Sequence, residues 1–124
     1  MMVKTYRDLL VWQKAMDMVA EVYRLAKHLP RQETYALGDQ LRRAAVSVPS
    51  NIAEGFGRAS RKEYAQFLGI ANGSVCEVET QLYVGVRVGY FREDAIRPAL
   101  GLLSEIGKII HSIATKLTSA RPVP

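Results

Sequence analysis

The stretch Ser60 to Val86, "SRKEYAQFLGIANGSVCEVETQLYVGV", decides how this chain folds. It opens on Ser60-Arg-Lys-Glu63, the pattern of a capping box: the serine oxygen accepts from the amide of Glu63 and the glutamate reaches back to the amide of Ser60. At about 100° per residue, Tyr64, Phe67, Leu68, Ala71, Val75, Val78, Leu82 and Val86 gather on one side of the helix that follows. That side needs a core. The opposite side carries Ala65, Gly69, Gly73, Cys76, Thr80 and Val84, small residues where a solitary soluble helix would display charge. A glycine in a helix interior costs up to about 1 kcal/mol relative to alanine, so Gly69 and Gly73 imply that another backbone comes close. Ala65, Gly69, Gly73, Cys76 and Thr80 are therefore expected to form an interface between copies of the chain.

Three more helical segments surround this one. From Asp8 to Leu29, the apolar positions Trp12, Met16, Val19, Tyr23, Ala26 and Leu29 recur at steps of three or four and predict a buried face, with Pro30 ending the helix. The next segment starts near Thr34 or Gly38, either of which could cap it, and carries Leu37, Leu41, Ala45, Val48 and Ile52 before Gly55. Pro49 lies inside it. The ring clashes with the carbonyl of Ala45 at a cost of about 3 kcal/mol, which predicts a bend, with Ser47, Ser50, a neighbouring side chain or water taking up the freed carbonyl. The last segment runs from about Asp94 to Leu117, with Ile96, Ala99, Leu103, Ile106, Ile110, Ile113 and Leu117 forming a heptad-like seam. Pro98 falls near its first turn, where few amides have helical partners. Arg121-Pro-Val-Pro124 reads as a frayed tail.

No stretch alternates as a strand would. Helices over about 8–29, 35–55, 61–89 and 94–118, joined by short turns, make an all-α, antiparallel up-down four-helix bundle occupying 1–124 as one domain. The two-sided third helix predicts a homo-oligomer.

Composition narrows the function. Lys and Arg number 17 against 12 Asp and Glu, a formal charge of +5 with a pI near 9.6, a balance that favours polyanionic partners. The one cysteine, Cys76, has no partner for an internal disulfide, and the amino-terminal stretch has too short an apolar run for a signal-peptide core or a membrane span, so a cytoplasmic setting without membrane contact is expected. Catalysis finds little material. His28 and His111 stand on different helices, outside any metal-ligand pair, and Glu77 and Glu79 point to different sides of one helix. Glu54 and Glu79 are expected to pair with arginines such as Arg43 across the bundle. Gly55-Phe-Gly57-Arg-Ala-Ser60 resembles a dinucleotide fingerprint, but a helix precedes it and no sheet is predicted. No catalytic residue, metal site, cofactor or small-molecule substrate is expected.

The turn before the third helix offers different chemistry. Free amides and the positive end of the helix dipole favour anions there. Arg58, Arg61 and Lys62 surround it, Arg42 and Arg43 lie one arm of the hairpin away, and only Glu54 and Glu63 oppose. Copies of this cluster arranged about a symmetry axis would contact many phosphates at once. Aromatic RNA-binding platforms, zinc knuckles and a clear recognition helix are missing, so readout through phosphates is expected, with steep salt dependence and modest base preference.

The segments "LLVWQKA" (Leu9 to Ala15), "QLRRAAVSVPSNIAEG" (Gln40 to Gly55) and "SRKEYAQFLGIANGSVCEVETQL" (Ser60 to Leu82) resemble the four-helix-bundle family encoded in intervening sequences of bacterial 23S ribosomal RNA genes. The similarity spans about Tyr6 to Leu117. A related branch is the accessory protein of diversity-generating retroelements, a basic bundle that works beside a reverse transcriptase. The resemblance implies a homopentamer, no known catalytic activity, and binding of RNA or an RNA-protein complex. It places Asn51, Glu54 and Gly55 in the signature without assigning them a role. Two functions follow as expectations: a non-enzymatic scaffold that binds structured RNA or other nucleic acid, or an adaptor that docks a ribosomal or nucleic-acid-processing protein.

Overall fold

A computed structural model describes residues 2–119; the tail Arg121 to Pro124 lies outside the described residues. The helices are α1, Leu10–Ala26; α2, Leu37–Phe56; α3, Arg61–Arg87; and α4, Glu93–Ser119, with short 3-10 turns at Tyr6–Asp8 and Arg31–Glu33. No strand occurs among the described residues. The first helix is shorter than the apolar spacing suggested, because Asp8 is spent on a turn of its own. Its carboxylate accepts from the amides of Lys4 and Thr5, and the Thr5 hydroxyl accepts from the amide of Arg7. The Lys4 and Thr5 amides, in that order, hold the Asp8 carboxyl below its usual range. Leu9 is then extended, and α1 starts after it.

One core unites the four helices. From α1 come Val11, Ala15, Met18, Val22, Leu25 and Ala26, followed by Leu29 beyond the helix end. Ala26 and Leu29 are buried as the sequence suggested, but the rest of the expected face is corrected: Met18 is fully buried, whereas Met16 is 44% and Tyr23 41% exposed, and Trp12 and Val19 are half-buried. The apolar band on α1 is wide enough to hold two adjacent stripes, and the one with the smaller side chains packs inward. Elsewhere the middles of the expected stripes are buried: Leu41, Ala45, Val48 and Ile52 on α2; Leu68, Ala71, Val75, Val78 and Leu82 on α3; Ile96, Ala99, Leu103, Ile106 and Ile110 on α4. Leu37, Tyr64, Phe67, Val86, Ile113 and Leu117 are half-buried.

The α2–α3 contact is set by small residues. Ser47 Oγ and Ser74 Oγ lie 2.8 Å apart, and Asn51 Nδ2 donates to the carbonyl and the hydroxyl of Ser47 at 2.8 and 2.9 Å. Ser47 thus binds the neighbouring helix through the hydroxyl expected to relieve Pro49. Pro49 itself is buried, and α2 continues through it to Phe56. Nearer the end of α2, a Cβ on Gly55 would come 2.8 Å from the Cβ of Phe67 and 3.1 Å from the Tyr64 ring, so only glycine permits this approach. Gly55 is inside the helix; Gly57 is the residue that ends it.

Neither Thr34 nor Gly38 caps α2. Ala36 holds the cap position, and the side chain of Glu33 takes over by accepting from the amide of Leu37 at 3.3 Å. The other oxygen of Glu33 accepts from the Tyr90 hydroxyl at 2.8 Å, which ties the α3–α4 connection to the start of α2. In that connection Gly89 has φ +87, the left-handed region glycine favours. The amides of Tyr90 and Phe91 donate to the carbonyl of Gly85, and the buried ring of Phe91 closes over that glycine.

The hydrogen bond to Glu33, then burial, then the charge of Glu33 raise the Tyr90 phenol above its ordinary 10.0. The neutral phenol is the form the fold prefers. Its contribution is complete below pH 10 and disappears as pH climbs through the raised value. In denaturant titrations repeated from pH 8 to about 11, the stability of Tyr90→Phe is expected to decline less steeply above about pH 10 than that of the unsubstituted protein; parallel declines would contradict the Glu33 contact.

Candidate nucleic-acid interface

The turn between α2 and α3 is a stapled basic loop. Arg58 pairs with Glu54 one helical turn earlier at 2.8 Å, and its guanidinium lies over the Phe67 ring, 4.8 Å from the centroid. This corrects the expected partner of Glu54, which was an arginine across the bundle. Phe56 and Tyr64 meet edge to face at 6.1 Å beneath the loop. Ser60 caps α3 as predicted, accepting from the amide of Glu63 at 3.1 Å. The reverse contact differs: the Ser60 hydroxyl donates to the Glu63 carboxylate at 3.3 Å.

Arg61 and Lys62 stand exposed in the first turn of α3, and neither forms an ion pair among the described residues. Arg61 and Lys62 are thus unpaired cations in the first turn of a helix of 27 residues, where the dipole adds positive potential, with the Glu54-paired Arg58 just before it in the chain. Arg42 and Arg43 are elsewhere. From Arg43 to Phe56, α2 rises about 20 Å. Arg42 is half-buried and committed, its Nη2 donating to the Thr34 carbonyl at 2.7 Å and to Asp39 at 2.9 Å. Arg43 is exposed beside a groove between α2 and α3.

Of the expected interface row, Ala65 is half-buried while Gly69, Gly73, Cys76 and Thr80 are exposed. A Cβ added at Gly69 or Gly73 would find nothing within 4 Å. Within one chain, the close approaches occur at Gly38, Gly55 and Gly85 instead. The Thr80 hydroxyl donates to the carbonyl of Cys76 on its own helix. A second apolar surface lies on α1 and α2, where Tyr6, Trp12, Met16, Val19, Val46 and Pro49 line a depression of about 300 Å³. Its signal in the sequence was the stripe read as core.

His28 and His111 are exposed and belong to separate parts of the fold. Glu77 borders the α2–α3 groove and Glu79 a depression between α3 and α4, as their spacing implied. No group of three His, Cys, Asp or Glu side chains able to hold a metal ion occurs among the described residues. None of the described helices is long and apolar enough to cross a membrane.

These observations define a basic, all-α four-helix bundle with a charged loop at one end and two uncovered faces. The sequence profile of the 23S rRNA-intervening sequence proteins matches residues 7–112, and the chain belongs to that family. It is similar to a crystal structure of a protein of unknown function from the S23 ribosomal protein family of Bacteroides thetaiotaomicron VPI-5482, with a TM-score of 0.78 and 25% identity over 85% of this chain and 98% of that one. No curated protein matches the chain.

Proposed function

We propose that the protein is a non-enzymatic, homo-oligomeric scaffold that binds structured RNA through phosphate contacts, in a cytoplasmic setting. The observation that carries this reading is the loop of Arg58, Arg61 and Lys62, three cations within five positions at the amino end of α3. The formal charge of +5 supports it, as does membership of a family named for its place within ribosomal RNA genes. The pairs Ser47 with Ser74 and Gly55 with Phe67 support antiparallel packing of α2 and α3. The glycine row of α3 and the apolar surface of α1 are two different faces left for neighbouring copies, which favours a closed ring; the family resemblance suggests five members. The ring would repeat the weak basic loop around an axis, so that modest sites act together.

Titration of a structured RNA at rising salt tests this. Binding is expected at about 50 mM salt and to fall steeply with added salt, and replacing Arg58, Arg61 and Lys62 together by alanine is expected to weaken it tenfold or more and flatten the salt slope. No binding at low salt, or binding indifferent to the triple substitution, would remove the reading. Partners that survive nuclease treatment would point to a protein adaptor instead.

A further inference from the structure

Between α2 and α3 lies a groove of about 470 Å³ lined by Gln40, Arg43, Ala44, Ser47, Glu77 and Gln81. Gln40, Arg43 and Ser47 follow at helical spacing on one helix, and Glu77 and Gln81 are a turn apart on the other, so the polar groups converge from both walls. Neither Arg43 nor Glu77 has an ion-pair partner among the described residues. Gln81 Oε1 is buried and has no hydrogen-bond partner, an uncommon state for a buried polar atom. Cation, anion and amides thus share one groove, and none of the contacts that hold the helices together uses Arg43, Glu77 or Gln81.

A phosphate alone fits poorly, because Glu77 repels what Arg43 attracts. A cationic ligand meets the opposite conflict. A planar group that carries donors on one edge and acceptors on the next satisfies both. Among the RNA bases, guanine presents that pairing: N1–H and N2–H side by side for a carboxylate, O6 and N7 for a guanidinium. Unpaired bases in loops and bulges leave these edges open.

We propose that the α2–α3 groove binds one unpaired guanine base. Glu77 accepts from N1–H and N2–H, and Arg43 donates to O6 and N7. The carboxamide of Gln81 borders the same groove beside Glu77. The inference rests on the RNA reading only for the source of the base, since a free guanine nucleotide presents the same edges. It adds to that reading a base preference that phosphate contacts do not supply.

Amide NMR of the full chain titrated with 5′-GMP, AMP, CMP and UMP tests it. GMP is expected to shift resonances in residues 40–47 and 77–81 and to bind about tenfold or more tightly than the other three, a bidentate pair being lost with each wrong base. Inosine monophosphate, which lacks the N2 amine, is expected to bind more weakly than GMP. Glu77→Gln is expected to erase the preference while the rest of the spectrum stays folded. Equal responses to all four nucleotides, or a preference that survives Glu77→Gln, would overturn the proposal. Unstructured oligonucleotides with and without guanine separate the sources: discrimination there assigns the base to RNA, and GMP binding without it assigns the groove to a free nucleotide. Structured RNA held with no guanine preference would sink this site and leave the basic loop standing; selective GMP binding by a chain that holds no structured RNA would do the reverse.

Discussion

Gly85→Val is expected to destabilise the protomer by about 3 kcal/mol, lowering the thermal midpoint by roughly 10 °C for a chain of this size. A Cβ at this position would stand 2.4 and 2.6 Å from two ring atoms of Phe91. The ring is buried and its backbone is fixed, because the amides of Tyr90 and Phe91 both donate to the Gly85 carbonyl. It has nowhere to retreat without leaving the core, and expelling an aromatic side chain costs about 3–5 kcal/mol. Gly69 and Gly73 supply the contrast. With nothing near their Cβ positions, alanine there is expected to raise the stability of the isolated protomer by up to about 1 kcal/mol each through helix propensity. If the row between them is an interface, the same substitutions lower the mass measured by light scattering. Calorimetry of the variants checks the first half, and a Gly85→Val protein that melts with the parent would refute the packing described for the α3–α4 turn.

Met18→Ala is expected to cost about 2–5 kcal/mol, whereas Met16→Ala is expected to change protomer stability by less than about 0.5 kcal/mol. Two methionines a half-turn apart thus differ by a sizeable fraction of a marginal domain's reserve. Met18 is fully enclosed, with Val11, Ala15 and Val22 beside it in the α1 stripe; Met16 faces the depression shared with Trp12 and Val46. Removing a buried side chain leaves a cavity, whereas shortening an exposed one leaves solvent. Urea titration of both variants reads the difference directly. If Met16→Ala were the damaging change at dilutions where the chain is monomeric, α1 would be turned the other way in solution.

That pair also marks where the sequence was legible and where it was not. The capping serine of α3 and the seam of α4 are local patterns, each visible within a few turns, and the structure places Ser60 and Ile96 to Ile110 where those patterns put them. The face of α1 is a tertiary choice. Both stripes are apolar, and docking selected the one with Ala15 and Val22 because smaller side chains let α1 sit closer. The long-range polar contact left no local trace either: Glu33, which serves the nearby amide of Leu37, also accepts from Tyr90, 57 residues on, and no spacing rule connects residues so far apart. The basic loop was readable because Arg58, Arg61 and Lys62 are neighbours in the chain. The bond from Arg42 to the Thr34 carbonyl was not, since it depends on how the chain enters α2, although Asp39 stands only three residues before Arg42. The α2–α3 groove escaped for the same reason as Gly85: its two walls come from helices whose mutual alignment only the fold sets.

The paired serines at the middle of that alignment have one more effect. Ser74 is 5% exposed, and its hydroxyl meets that of Ser47 on the neighbouring helix. Sliding α3 along α2 by one turn would separate the two hydroxyls, taking from the buried Ser74 its partner while the half-buried Ser47 keeps Asn51. Apolar stripes alone tolerate such slippage, because one methyl surface resembles the next. The serine pair therefore favours the observed alignment of the two helices, the one on which Gly55 packs against Phe67 and Arg43 and Glu77 line the same groove.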